Sequence, residues 1–360
     1  MLKRKISLYD DDDDDDLVET PPKKIETKND GNENSKKTTD SSNNAASSSN
    51  NDVNKQTKQF LSSTSVNHNK GYTTAAIAWR KGEREEMQDR HLVADRLLVD
   101  LCDDIKTSSL FALFDGHAGK LAAEFCEKNF ATKFRQFCAK CLSANKDMSV
   151  MEKAMKKIFI DTYKSIDEDF LKEARSRKPT PLKDGTTATT LFLLNQVLYC
   201  ANIGDSKAVV CRKKPDSETV SPIQITFDHS PLNFEERTRI QKAGGNVKDG
   251  RVLGILEVSR SIGDFQYKAH GVICTPDLKK LTLTPDDWFV ILACDGLWKK
   301  FSSYDAIEFA IKVYKEESAK AQEQQSIEQI WLKAADELAA EAVKRGCGDN
   351  VSIIIIVFQN

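Results

Sequence analysis

No apolar run in this 360-residue sequence approaches the roughly 18 residues that a membrane-spanning helix needs, and the first residues are polar. The sequence therefore predicts no membrane span and no signal peptide, and a soluble, intracellular protein. Histidine is scarce: five are scattered along the chain, and none stands at metal-ligand spacing from a cysteine or another histidine, which disfavours zinc. The nine cysteines, odd in number and irregularly spaced, fit reduced thiols better than a disulfide framework. Cys138 and Cys141 form a lone C-x-x-C with no second pair nearby and read as incidental. Missing too are a Gly-x-x-x-x-Gly-Lys-Ser/Thr phosphate loop, a Gly-x-Gly-x-x-Gly after a strand and a Gly-x-Ser-x-Gly elbow, so nucleotide-dependent transfer and serine hydrolysis lose support. Neither sign of charge is in excess. Beyond residue 68 the chain carries 43 Lys and Arg against 42 Asp and Glu, which argues against a general nucleic-acid binder.

Composition divides the chain. In residues 1–68 the only aromatics are Tyr9 and Phe60, small polar and charged residues dominate, and residues 10–16 are an unbroken aspartate run. Such a segment cannot bury enough apolar surface to offset its ordering entropy, so residues 1–70 are expected to be a disordered tail and 71–360 one folded domain. Lys3-Arg4-Lys5 and Pro21-Pro22-Lys23-Lys24 flank the acidic run. They read either as a short nuclear-import signal or as solvated charge blocks, which leaves residence in the cytoplasm, the nucleus or both.

In the body, residues 75–79 and 91–99 read as strands around a highly charged connection, 80–89. Residues 111–114 are a buried strand, followed by an amphipathic helix over 120–130. A second helix over 149–171 carries a stripe of Met151, Met155, Ile158, Thr162 and Ile166, read as core packing. Residues 187–194 and 196–201 form a strand pair turning at Asn195, and 206–211 a further strand. Asn233, with Glu236 three residues on, opens a helix that Gly244-Gly245 closes. Residues 288–294 and 351–358 are buried strands, and 303–314 and 326–345 helices, the last with Ser326 as cap and Gln329 at the capping-box position. Strands and helices do not alternate strictly, so a mixed sheet sandwich covered by helices fits better than a doubly wound parallel sheet.

Aspartate recurs at the ends of the apolar strands. Asp115-Gly follows Phe-Ala-Leu-Phe, Asp205 follows Val-Leu-Tyr-Cys-Ala-Asn-Ile-Gly, Asp295-Gly follows Val-Ile-Leu-Ala-Cys, and Asp349-Asn350 precedes Val-Ser-Ile-Ile-Ile-Ile. An anion at the mouth of a buried strand must be hydrogen-bonded, paired or bound to a cation. Each aspartate alone also reads as a turn or capping residue. Four together point to a shared oxygen-only site, the donor set that hard cations such as Mg²⁺ and Mn²⁺ require.

These residues resemble the metal-dependent protein phosphatase 2C family of serine/threonine phosphatases. The resemblance rests on Arg84-Glu-Glu-Met-Gln-Asp89, Phe114-Asp-Gly-His-Ala-Gly119, Asp184-Gly-Thr-Thr-Ala188, Ala201-Asn-Ile-Gly-Asp-Ser-Lys-Ala208, Asp228-His-Ser-Pro231, Val258-Ser-Arg-Ser-Ile-Gly-Asp264, Ala293-Cys-Asp-Gly-Leu-Trp298 and Gly348-Asp-Asn-Val351. It implies an α+β fold: a central β-sandwich of two antiparallel sheets flanked by helix pairs, with two Mg²⁺ or Mn²⁺ ions at one end. By the same resemblance Asp115 bridges the ions, the Gly116 carbonyl binds one, and Asp295 and Asp349 bind the other. Arg84 holds the substrate phosphate, metal-bound hydroxide attacks phosphorus in line, and His117 protonates the departing serine or threonine oxygen. From the residues alone, His117 reads as a satisfied loop histidine. The implied partners are phosphoserine and phosphothreonine proteins, met by a monomer, with no nucleic acid and no membrane.

The sequence departs from the family pattern at four positions. Gln88 stands where many relatives have a metal-binding glutamate, leaving Asp89 to act through water. Lys299 replaces an aspartate that serves a third metal site in some relatives, which leaves Asp205 there largely alone. Ala118 replaces a glycine after His117, and Lys207 an arginine. Residues 184–188, 228–231 and 258–264 are expected to be turn and packing elements, with Arg260 and Asp264 a structural ion pair. The rival reading is a catalytically silent relative that uses the same fold to bind phosphoproteins.

Overall fold

In the computed structural model, which describes residues 7–8, 73–143, 146–215, 217, 219–320 and 326–358, the apolar runs are strands buried on both faces. Most of the tail, with its acidic run and basic clusters, lies outside the described residues. In chain order come β1 (Ser7–Leu8), β2 (Thr73–Arg80), β3 (Arg90–Ala94), β4 (Ser108–Phe114), β5 (Gly116–His117), α1 (Leu121–Leu142) and α2 (Met148–Ser176). Then follow β6 (Gly185–Thr186), β7 (Ala188–Leu194), β8 (Val197–Ile203), β9 (Lys207–Lys213), β10 (Val220–Gln224), α3 (Phe234–Lys242), β11 (Val247–Lys248), β12 (Arg251–Val252), β13 (Ile262–Gly263) and α4 (Phe265–Lys268). The chain closes with β14 (Asp277–Thr282), β15 (Asp287–Ala293), α5 (Asp295–Trp298), α6 (Ser303–Lys320), α7 (Ile327–Lys344) and β16 (Val351–Phe358).

Six strands in the order β1-β14-β8-β7-β4-β3 form one sheet and five in the order β10-β9-β15-β16-β2 the other, with antiparallel pairing throughout. Side chains alternate across a strand, and here each face has a partner. On β4, Phe111 and Leu113 meet Ile354 and Ile356 of the opposite sheet, while Leu110, Ala112 and Phe114 meet Phe130, Phe134 and Tyr163 of α1 and α2. On β16, Ile353 and Ile355 pack instead against Trp331 and Leu338 of α7. A sheet covered on both sides needs continuous apolar strands, which is why these read as unbroken runs. The architecture is the expected α+β sandwich between two helix pairs.

The differences from expectation have local causes. The strand over 91–99 stops at Ala94, since 95–101 turn and Arg96 takes a left-handed conformation, φ 52°. The helices over 149–171 and 303–314 run on to Ser176 and Lys320. Asn233 caps α3 without a side-chain bond to the helix, since its Nδ2 donates to the Asp228 carbonyl, and Glu236 is drawn to Arg239 and Arg260 instead of its own helix start. A three-stranded sheet of two-residue strands, β13-β6-β5, is too short to show a period in the sequence. It ties residues 116–117 to 185–186 and 262–263. Among the described residues no helix is long and apolar enough to cross a membrane.

The expected capping box of α7 is formed: Ser326 Oγ accepts from the Gln329 N–H and Gln329 Oε1 from the Ser326 N–H. Ser326→Ala is expected to cost about 1 kcal/mol and lower Tm by ~2 °C, measured by calorimetry at fixed pH. An unchanged Tm would show that α7 is held by its packing alone.

Candidate active site

The antiparallel sandwich brings strand ends from both sheets to one place. Asp115 follows β4 and Asp205 follows β8 in the six-stranded sheet; Asp295 follows β15 and Asp349 precedes β16 in the five-stranded one. One carboxylate oxygen each from Asp115, Asp205 and Asp295 lies within 4.8 Å of the other two. A cleft of about 280 Å³ opens over them, lined by Arg84, Gln88, Gly116, His117 and Asp349 as well. Asp89 is the one expected site residue outside that lining: it is buried beneath, and its Oδ2 has no hydrogen-bond partner among the described residues. Asp205 thus stands with Asp115 and Asp295 in the shared aspartate cluster.

The charged loop before β3 folds onto this end because Gly82, at φ 64°, passes where an added Cβ would lie 2.2 Å from the Asp349 carbonyl oxygen. Asn350 clamps the loop, donating from Nδ2 to the Lys81 and Glu86 carbonyls and accepting the Gln88 N–H at 2.7 Å. Arg84 is thereby placed with one Nη 2.9 Å from Asp349 Oδ2, while its side chain stays more than half exposed. Gln88 donates from Nε2 to Glu86 and adds no charge to the cluster. Gly116 sits where a Cβ would come 2.5 Å from the Gln88 carbonyl oxygen.

His117 is held by a residue that the sequence reading placed elsewhere. Asp264 Oδ2 lies 2.6 Å from His117 Nε2 and also accepts from Ser261 Oγ. Asp264 is buried in a left-handed conformation, φ 52°, and Gly185 leaves room for the pair: a Cβ there would fall 2.2 Å from the Asp264 carboxylate and 2.4 Å from His117 Nε2. The expected Arg260–Asp264 pair does not form. Arg260 bonds Glu236 and Asp277 instead, and Asp277 meets the Nε2 of buried His229, whose Nδ1 accepts the Gly204 N–H beside Asp205. The segments 184–188, 228–231 and 258–264 thus position site residues rather than merely pack. Ala118 adopts φ 58°, a conformation that costs a residue with a Cβ but is tolerated here. Lys207 is spent on Asp228, at 3.0 Å.

The electrostatics follow from the crowding. Burial, then the charges of Asp89, Asp295, Asp205 and Asp349, raise Asp115 well above the carboxylate range. Burial pushes Asp205 up to about 7 and Asp89 up to about 6, with Asp295 adding to both. Burial also raises Asp295, although Lys299 opposes it. Burial alone would lower His117, but Asp264, with Asp205 and Asp184 beyond, outweighs it and raises the imidazole. An all-oxygen, half-buried cluster with excess negative charge fits a hard dication.

A family model for protein phosphatase 2C matches residues 74–351. The integrin-linked kinase-associated serine/threonine phosphatase 2C of Homo sapiens is 44% identical over 292 residues, spanning 80% of this chain and 72% of that protein. Probable protein phosphatase 2C 8 of Arabidopsis thaliana is 35% identical over 297 residues, spanning 79% of this chain and 78% of that protein. Among solved structures, a serine-threonine phosphatase 2C from Toxoplasma gondii superimposes with TM-score 0.67 at 21% identity, over 85% of this chain and 100% of that one. A C. elegans sex determining protein does so with TM-score 0.64 at 22% identity, over 79% and 64%. At such identities the structural likeness establishes the fold.

A carboxylate raised above its unfolded value of 3.8 binds more protons folded than unfolded, so its penalty is absent below that value and complete above its folded pKa. Between pH 6.5 and 8 the chelator-treated protein is therefore expected to lose on the order of 1 kcal/mol as Asp205, near 7, gives up its proton, with His117 acting in the same direction. Below 6.5 His91, which burial pushes down to about 4, works the other way. Thermal unfolding across this range, with chelator and with excess Mn²⁺, checks it. A flat profile in chelator would mean that the cluster is not short of positive charge.

Proposed function

The chain belongs to the protein phosphatase 2C family of protein serine/threonine phosphatases, and from that premise we propose that the cleft hydrolyses phosphoserine and phosphothreonine in proteins with the help of two Mg²⁺ or Mn²⁺ ions. The convergence of carboxylates from both sheets on one half-buried point supports this reading above all. We assign Asp115, the Gly116 carbonyl, Asp295 and Asp349 to holding the ions, with Asp205, Asp89 and Gln88 around them. Bound there, such ions neutralise the cluster and lower the pKa of water far enough to give a nucleophile near neutral pH.

The chain's own side chains then divide the remaining work. Arg84 presents a planar fork of donors at the rim of the cleft, and one bond to Asp349 leaves it able to grip phosphate oxygens. His117 has Nε2 fixed by Asp264, while Nδ1 has no partner among the described residues and is the ring nitrogen able to deliver a proton to the departing alkoxide. Asp264 touches no reacting atom in this scheme. It positions the ring and keeps the imidazolium populated at neutral pH.

Purified full-length protein is expected to hydrolyse a phosphothreonine peptide with added Mn²⁺ or Mg²⁺ and to stop in excess chelator; turnover that persists in chelator would remove the metal from the scheme. No turnover by folded, metal-loaded protein would favour the silent phosphoprotein-binding reading. Asp264→Asn is expected to reduce kcat on the peptide by about tenfold or more, with a smaller loss on an aryl phosphate, whose phenolate leaves with little protonation. A general acid must be protonated, so losing the charge that raises His117 moves the basic limb of the pH profile to lower pH. An unshifted limb would separate Asp264 from the acid.

A further inference from the structure

Five carboxylates, Asp89, Asp115, Asp205, Asp295 and Asp349, crowd the end of the sandwich. Among the described residues, two cationic side chains touch them. Arg84 reaches Asp349 alone. Lys299 enters the cluster itself: its Nζ lies 2.5 Å from Asp295 Oδ2 and 3.9 Å from Asp349 Oδ2.

The backbone builds this contact. Asp295 and Lys299 are one helical turn apart, and the Lys299 N–H donates to the Asp295 carbonyl at 2.8 Å, so the side chain returns over the carboxylate of residue i−4. The turn cannot roll away, because Leu297 is buried and Trp298 Nε1 donates to the Ala293 carbonyl at 2.8 Å. The lysine is 50% exposed, so its own rotamer change is enough to carry the ammonium out to solvent.

An oxygen that contacts an ammonium at 2.5 Å cannot take a dication at ~2.1 Å without bringing two like charges close together. We propose that Lys299 is a tethered counter-cation: it occupies Asp295 and the near side of Asp349 in the metal-free protein, competes with incoming dications there, and so sets how much free Mg²⁺ or Mn²⁺ the site needs. This deepens the reading of the cluster as a dication site and rests on it. Lys299 touches no substrate atom in this scheme; it is a positioning residue that acts through Asp295 and Asp349.

Isothermal titration of Mn²⁺ into chelator-stripped full-length protein tests this without turnover. Lys299→Met, which keeps the stem and removes the charge, is expected to bind Mn²⁺ about tenfold tighter or more, the scale on which one charge in contact shifts a carboxylate. Its metal-free Tm falls, so the rise on adding Mn²⁺ becomes larger than in the unmodified protein. Lys299→Arg restores weaker binding, and Lys299→Gln, measured alongside, keeps the comparison available if the methionine variant does not fold. Equal affinities for the unmodified protein and both neutral variants overturn the tether while leaving the metal site standing. No Mn²⁺ binding by the unmodified protein overturns the metal reading and the tether with it.

Discussion

Mutual repulsion among carboxylates at the end of a β-sandwich is the constraint around which this molecule is arranged. Asp115, Asp205 and Asp295 bring oxygens within 4.8 Å of one another, and burial with the neighbouring carboxylates raises Asp115 well above the carboxylate range. The fold tolerates the cluster because its stability lies elsewhere. Among the described residues, eleven strands in two sheets and four long helices bury continuous apolar faces, so the sandwich does not need its open end to be favourable. The end is left with excess negative charge, a setting that a bound cation would offset.

Around the cluster, the polar architecture reads as a set of braces. Burial would raise Glu236, but Arg239, Arg260 and the Ser259 hydroxyl hold it well below the usual carboxylate range. Arg260 passes the connection to Asp277, Asp277 to His229, and His229 to the backbone beside Asp205. Breaking a buried pair of this kind strands a charge, so each brace is worth more in place than its net contribution to stability. On the other side, Asn350 and Gly82 press the Arg84 loop against β16. The small sheet β13-β6-β5 carries His117 and Asp264 to within 2.6 Å although 147 positions separate them in the chain.

Much of this was legible in the sequence. Strands buried on both faces announce themselves as apolar runs, and an aspartate beside glycine at the end of each pointed to the shared site before any geometry was known. Ser326 and Gln329 marked α7 by a rule that acts within one turn. Where partners are distant, local spacing misleads: Asp264 lies near Arg260 in sequence, whereas the fold gives it His117. Glu236 looked like a capping residue because nothing local shows that Arg260 is nearby. Spacing in a sequence carries local chemistry; the ion pairs that cross the fold leave no period to find.

The most direct test is X-ray diffraction from crystals of the full-length protein grown with Mn²⁺, recorded at a wavelength where manganese scatters anomalously. Two anomalous peaks are expected in the cleft, each within ~2.2 Å of carboxylate oxygens from the set Asp115, Asp295 and Asp349. An empty cleft at saturating Mn²⁺, or peaks only on surface carboxylates elsewhere, would contradict the assignment of this cluster as the dication site.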